Sequence, residues 1–435
     1  MRRRLGENTR AVHLPPAPVP RQAPMGLPVW RSAAWSFGSS AEYGDVLGDR
    51  APGFAYSRID NPTVAAFASG IASLEGAAAP EDVAGQAFSS GMAAVSTVLL
   101  TFLRAGAHVV APAPVYGGTY SMLSNVLGRF GVSVDFVDYS DLRRVHGTVR
   151  SATKIIYAET MSNPTMAVAD IRGLYRIARD AGALLVVDST FATPVVCRPL
   201  EHGADLVVHS ATKYIGGHDD CTGGAVVGRP DLIAKIRETR IDTGATLSPD
   251  EAFLLRRGLE TLPLRVRRMC ATAMVFAAAV AKHPAVRRVD YPGLPGHPGH
   301  QLARQLFDSG PEGTRFGAVV TVTPHGGTRP GSCSPTPCGC PASPPRSAAR
   351  TPRWPTSPPR PTASSTRRPS RLPAWTRAPC ASRWAWRTPR TSSRTSPRPS
   401  THCARDPSDG ADPGLTRQPG TMGTHGRFGH HERAA

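Results

Sequence analysis

ADLVVHSATKYIGGHDDCTGGAVVG, residues 204–228, holds one lysine in an unusual setting. An apolar run stops at His209, Ser210 and Thr212 precede Lys213, and Gly216 and Gly217 follow it. Taken alone, a lysine is far more often a solvated surface charge. At the end of a buried strand it can instead be desolvated and held near other cations, which makes the neutral amine accessible. A Schiff-base lysine needs that environment. Ser210 and Thr212 offer hydroxyl donors for a phosphate, and the two glycines let the backbone come close.

Outward from Lys213 the text alternates. VSVDFVDY, KIIYAET, ALLVVDST and ADLVVHS are short apolar runs rich in Val and Ile. SSGMAAVSTVLLTFLRAGAH has apolar residues at helical spacing, HVVAPAPVY predicts a strand and turn, and IRGLYRIARDAG predicts an amphipathic helix ending in glycine. Strands alternating with helices predict an α/β fold with a mostly parallel sheet, covered by helices on both faces. The strand ends then form the active-site rim. SPDEAFLLRRGLETLPLRVRRM predicts a helix capped by Ser248, with helical text to about residue 282. RFGAVVTVTP, 315–324, predicts the opening strand of a second domain.

Three further positions carry chemistry. Asp188 ends ALLVVDST, where a buried carboxylate needs a cationic or hydrogen-bonding partner. It is either a strand-end cap or the acceptor for a protonated pyridine nitrogen. AFSSGMAA places Ser-Ser-Gly at a helix start, whose free N–H groups and dipole favour an anion, although many helices begin this way. PVYGGTY places Tyr116 at another strand end, where a ring stacks on a flat cofactor or simply packs. An aldehyde-binding lysine, a pyridinium partner, a phosphate cup and a stacking ring together describe pyridoxal phosphate.

Composition sets the outer bounds. The 435 residues, 40% hydrophobic, suffice for one large domain and a smaller one. No signal peptide or membrane-length apolar run is expected, so a cytoplasmic enzyme is the default. The formal charge of +19 invites a nucleic-acid reading, but residues 329–435 hold 18 Arg, no Lys and 4 acidic residues. That segment also holds 20 of the 43 prolines and 5 of the 8 cysteines. Its prolines forbid regular helix or central strand.

Three explanations of this tail compete. It is a disordered basic segment that binds nucleic acid or an acidic partner, a metal site on Cys333, Cys338 and Cys340, or text read out of frame. The third is favoured. Back-translation with GC-rich codons, read in the adjacent frame, can give KLFSDALRMSGVAASLGGTHTE and GAVRVSVGLEDTEDIIEDI, both ordinary globular text. The high net charge then says nothing about partners, and the chain is expected to be poorly folded beyond about residue 327.

YSRIDNPT, SSGMAA, PVYGGTY, ETMSNPT, VVDSTFATP, HSATKYIGGH and GATLSPDEAFLLRRGLETL occur in this order. With them the chain, over roughly residues 8–327, resembles the Cys/Met-metabolism (trans-sulfuration) enzymes that use pyridoxal phosphate. The resemblance implies the type I transferase fold, with its C-terminal α+β domain lost to the aberrant tail. Implied domains are a 1–65 arm contacting a neighbouring subunit, a 66–260 cofactor-binding domain, a 261–327 start of the C-terminal domain, and the 328–435 tail.

The resemblance also implies roles. Lys213 would hold the cofactor covalently and shuttle protons, and Asp188 would bind the pyridine nitrogen. Gly91 and Met92 would give backbone N–H groups to the phosphate, with Ser210 and Thr212 adding hydroxyls. Tyr116 would stack on the ring and share in acid/base steps, and Asn163 would contact the ring hydroxyl. Tyr56 and Arg58 would reach the phosphate of a neighbouring subunit, which makes a homodimer or homotetramer necessary. Ser189 stands where the family often has Asn, and GHDD replaces the commoner GHSD or GHGD.

The implied reaction is carbon–sulfur bond formation or cleavage on β- or γ-substituted amino acids. Cystathionine γ-synthase or γ-lyase chemistry comes first, O-acetylhomoserine sulfhydrylase second and methionine γ-lyase third, because methionine γ-lyases usually carry Cys where Gly118 stands. A basic-tailed nucleic-acid binder is the non-enzyme alternative.

Overall fold

The computed structural model describes residues 24–325, apart from 78, 80 and 81. The reading-frame expectation for the tail, and Cys333, Cys338 and Cys340, lie outside the described residues.

Seven strands form the central sheet: β1 (Ala84–Phe88), β2 (His108–Pro112), β3 (Ser133–Val137), β4 (Thr153–Glu159), β5 (Leu184–Asp188), β6 (Leu206–His209) and β7 (Gly224–Gly228). Their spatial order is β1-β7-β6-β5-β4-β2-β3. The pairs from β6 through β3 are parallel, and β7 runs antiparallel to both of its neighbours. The expected mostly parallel sheet is present.

Strand alternation divides the core in two. Val110, Ile156, Leu185, Val187 and Val207 face one side, against the helices Pro62–Glu75, Ile171–Asp180 and Pro249–Val280. Val109, Ile155, Tyr157, Val186 and Val208 face the other, against Gly91–Phe102 and Pro230–Thr243. Both faces are covered, which explains apolar runs without polar interruption. Each fully buried Val, Leu or Ile contributes about 1.5–3 kcal/mol over its exposed state.

Ser90 caps Gly91–Phe102 through its side chain, and Ser248 caps Pro249–Val280, as their positions before apolar periodic text predict. Within residues 24–65, Ser40–Leu47 is helical with Ser39 as its cap. Both inner domain boundaries, at 65 and 260, fall inside continuous helices, Pro62–Glu75 and Pro249–Val280. No linker separates those parts.

The strand expected over 315–324 is shorter. Gly317 adopts φ 83°, which interrupts an extended run, and only Thr321–Pro324 forms a strand. It pairs antiparallel with Val286–Asp290, a strand that precedes it in the chain, so it is not the first strand after the central sheet. Among the described residues no helix is long and apolar enough to cross a membrane. No group of three or more His, Cys, Asp or Glu among them could hold a metal ion.

Candidate active site

The carboxyl ends of β2, β4, β5 and β6, and the end of β1, lie on one edge of the sheet, because these strands run the same way. Each is followed by a segment holding expected site residues: Gly91 and Met92 after β1, Tyr116 after β2, Asn163 after β4, Asp188 ending β5, and Ser210 to Lys213 after β6. Crevices at such strand ends are where open α/β sheets bind ligands.

The helix start after β1 is built for an anion. Ser90 Oγ accepts the Ala93 N–H at 3.0 Å, and the Ser90 carbonyl accepts the Ala94 N–H. The Gly91 and Met92 N–H groups, first in the helix, have no partner among the described residues. Gly91 is required here, because a Cβ on it would stand 2.5 Å from Ser210 Cβ. Gly224, at the start of β7, is required too, since its Cβ would lie 2.2 Å from the Ser90 carbonyl oxygen. Two close backbone approaches thus bring the helix start against the Ser210 hydroxyl.

Asp188 is half-buried at the end of β5. Oδ1 accepts the Thr190 N–H at 3.0 Å, which is the local cap, and Oδ2 accepts the Tyr157 hydroxyl at 3.3 Å. The second bond is long, so Oδ2 keeps acceptor capacity for a cationic N–H. The Thr190 hydroxyl in turn accepts the Ser210 N–H at 2.8 Å, tying the ends of β5 and β6 together.

Lys213 is exposed, so the desolvation expected for it is not supplied by this chain alone. Its backbone is well held: its N–H donates to the Ser210 carbonyl at 3.1 Å, and its carbonyl accepts the Gly217 N–H at 2.8 Å. Arg265 braces the following residues, donating to the carbonyls of Tyr214 at 2.6 Å, Ile215 at 3.1 Å and Gly258 at 2.7 Å. The Thr212 hydroxyl closes the loop on Gly223, donating to its carbonyl at 3.2 Å and accepting its N–H at 3.1 Å. Its one proton is therefore engaged inside the loop, whereas Ser210 keeps its hydroxyl facing Gly91.

Tyr116 is 51% exposed, and a Cβ on Gly118 would meet its ring at 2.6 Å and Met92 Sδ at 2.9 Å. Tyr116, Met92 and Gly118 therefore share one corner. Asn163 is exposed, and its backbone amide reaches Glu159, which also accepts the Tyr116 N–H at 2.8 Å. Arg58 lies 5.5 Å from the Tyr56 ring centroid and donates to the Ile241 carbonyl at 2.6 Å, and both residues are exposed.

Glu159, Thr190 and Arg265 went unassigned in the sequence. For Glu159 the signal was present: a carboxyl ending the apolar run KIIYAE, like the one ending LLVVD. Arg265 gave no signal, because one arginine among several in a helix looks like a solvated face.

An open pair of helix N–H groups beside a hydroxyl suits a phosphate, and Asp188 suits a protonated ring nitrogen. The residues present therefore fit pyridoxal phosphate.

Known proteins agree with this geometry. The family described as Cys/Met metabolism PLP-dependent enzyme matches residues 8–321. The L-methionine gamma-lyase of Pseudomonas putida is 45% identical over 304 residues, covering 69% of this chain and 75% of that one. The cystathionine gamma-synthase of Mycobacterium tuberculosis is 38% identical over 325 residues, covering 74% and 79%. Among solved structures, cystathionine gamma-lyase from Lactobacillus plantarum complexed with L-serine has a TM-score of 0.63 at 35% identity, covering 69% of this chain and 73% of that one. With strand-end lysine, carboxylate and anion cup in place and a family match over most of its length, this chain belongs to the Cys/Met metabolism family of pyridoxal-phosphate-dependent enzymes.

Proposed function

We propose that the chain makes or breaks the carbon–sulfur bond of cystathionine, as a cystathionine γ-synthase or γ-lyase. The observation that carries this reading is Gly118. A side chain there would press on the Tyr116 ring and on Met92, so the cysteine usual in methionine γ-lyases would require both side chains to shift. The 45% identity to a methionine γ-lyase, against 38% to a cystathionine γ-synthase, favours methionine γ-lyase as the second reading.

In this proposal the Gly91 and Met92 N–H groups and the Ser210 hydroxyl bind the phosphate. Thr212 acts mainly by shaping the loop that carries Lys213. Asp188 would hold the ring nitrogen protonated, Tyr116 would cover the ring face, and Asn163 would contact the ring hydroxyl. Pyridoxal phosphate, when bound, supplies an electron sink that makes the α-proton of the amino acid acidic. Lys213 Nζ takes that proton and returns it at another carbon, which sets up loss of the sulfur-bearing group. The remaining residues orient and place charge.

Tyr56 and Arg58, exposed in the single chain, reach the phosphate of a second copy, so the active unit is a homodimer or homotetramer. A cytoplasmic setting completes the proposal. The test is α-keto acid release from cystathionine and from methionine, with borohydride fixation of the cofactor and a Lys213→Ala variant beside it. Faster release from cystathionine, fixation on Lys213 and loss of both in the variant are expected. Preference for methionine selects the second reading, and absence of fixation on Lys213 ends both.

A further inference from the structure

We infer that Glu159 is a positioning residue of this site: its buried carboxyl ties the Tyr116 segment to the Asn163 segment beside Asp188. The inference rests on the roles proposed above for Tyr116, Asn163 and Asp188.

Glu159 is 7% exposed at the end of β4, and its register partner on β5 is Asp188. Two carboxyls therefore stand side by side on adjacent parallel strands, about 5 Å apart at the backbone. Glu159 Oε1 accepts the Tyr116 N–H at 2.8 Å, and the Asn163 backbone amide lies close enough to act on the same carboxyl. Oε2 is buried with no partner among the described residues. An ionised carboxylate with a bare buried oxygen is costly, whereas a protonated one is not.

Burial pushes the Glu159 carboxyl up to about 8, Asp188 pushes it the same way, and the two amides oppose. The groups around it are Asp188 on β5, the Tyr157 hydroxyl on its own strand, and the amides of Tyr116 and Asn163. At neutral pH the carboxyl keeps its proton while Oε1 accepts the Tyr116 amide. A neutral Glu159 then leaves Asp188 without a second carboxylate beside it, where a cationic ring nitrogen would need an acceptor. As pH rises the second carboxylate forms, the two repel, and the tie between the segments loosens.

Glu159→Gln keeps the shape and the carbonyl acceptor but cannot ionise, and Glu159→Ala removes the acceptor. In the full chain loaded with pyridoxal phosphate, the Gln variant should turn over close to the parent rate at neutral pH. Its alkaline limb of kcat should move upward by about one pH unit or more, as expected when a titrating group is removed. The Ala variant should lose about tenfold or more in kcat through misplacement of Tyr116 and Asn163. Borohydride should still fix cofactor to its Lys213, so the loss is not one of binding.

Thermal melts of the chain without cofactor supply an independent readout. A carboxyl raised above its ordinary 4.5 contributes stability that is complete below that value and is lost as pH rises towards about 8. The Gln variant should therefore gain stability relative to the parent across that window. Identical kcat profiles, or parallel melts, would overturn the inference. If the parent binds no cofactor, the positioning role falls with the functional reading. Melts that still diverge would then place the fault in the cofactor assignment rather than in the state of Glu159.

Discussion

Gly91 and Ser210 touch: a Cβ built on Gly91 would stand 2.5 Å from Ser210 Cβ, 2.7 Å from its Oγ and 2.9 Å from its Cα. Gly91 opens a helix with unused N–H groups, and Ser210 ends the segment before Lys213. Two anion-binding devices from distant parts of the chain thus meet at one point, and the point exists only because position 91 has no side chain.

Gly91→Ala is accordingly predicted to push the helix start away from β6. Overpacking of this kind costs about 1–3 kcal/mol. Affinity for pyridoxal phosphate should fall by about tenfold, a change of about 1.4 kcal/mol. Denaturant melts and a cofactor titration check the two numbers separately. Unchanged affinity would remove Gly91 from the phosphate cup.

Arg265 holds three carbonyls next to the lysine loop, and burial lowers its pKa without removing its charge. Arg265→Ala should cost about 1.5–3 kcal/mol, the range for hydrogen bonds to charged groups. Arg265→Lys should recover little, because an ammonium lacks the planar fork that spans separate acceptors. Amide exchange at Tyr214–Gly217 should rise in both variants. Full recovery by Lys would show that charge, not geometry, matters there.

Acid should destabilise the chain below about pH 6.5. His108, His202 and His297 all have their pKa lowered, in each case chiefly by burial. A depressed pKa means that the unfolded chain binds more protons in this range, so stability is present above the ordinary 6.5 and lost as pH falls through the folded value. His108 bonds Thr153 Oγ1 at 2.8 Å and Asp135 Oδ2 at 3.1 Å. His108→Gln should flatten the acid limb of melting temperature against pH. An unaltered limb would assign acid sensitivity to other groups.

The family match stops at residue 321, close to the change in composition after residue 327. A chain carrying the adjacent-frame text GAVRVSVGLEDTEDIIEDI is predicted to release α-keto acid from cystathionine faster than the chain as written. That text carries an arginine, a side chain suited to holding a substrate carboxylate. Sequencing the DNA around codon 327 and comparing the two turnovers decides the matter, and equal rates would end the reading-frame proposal.

Some of this site was legible in the letters alone, because local pattern determines local structure. Apolar runs of strand length, glycine after helical text and serine before it predicted the strands and caps. Lys213 and Asp188 stood out because each ends a run that must be buried, where a charge is costly without a role. Spacing along the chain could not say which strand lies beside which. The order β1-β7-β6-β5-β4-β2-β3 places Glu159 next to Asp188, lets Gly91 meet Ser210 and brings Arg265 over the lysine loop. Those neighbours arise from long-range register and close packing, whose energies depend on contacts between segments far apart in sequence. Tertiary structure also left Lys213 exposed in the single chain, since whether an amine is desolvated depends on what packs over it rather than on the residues beside it.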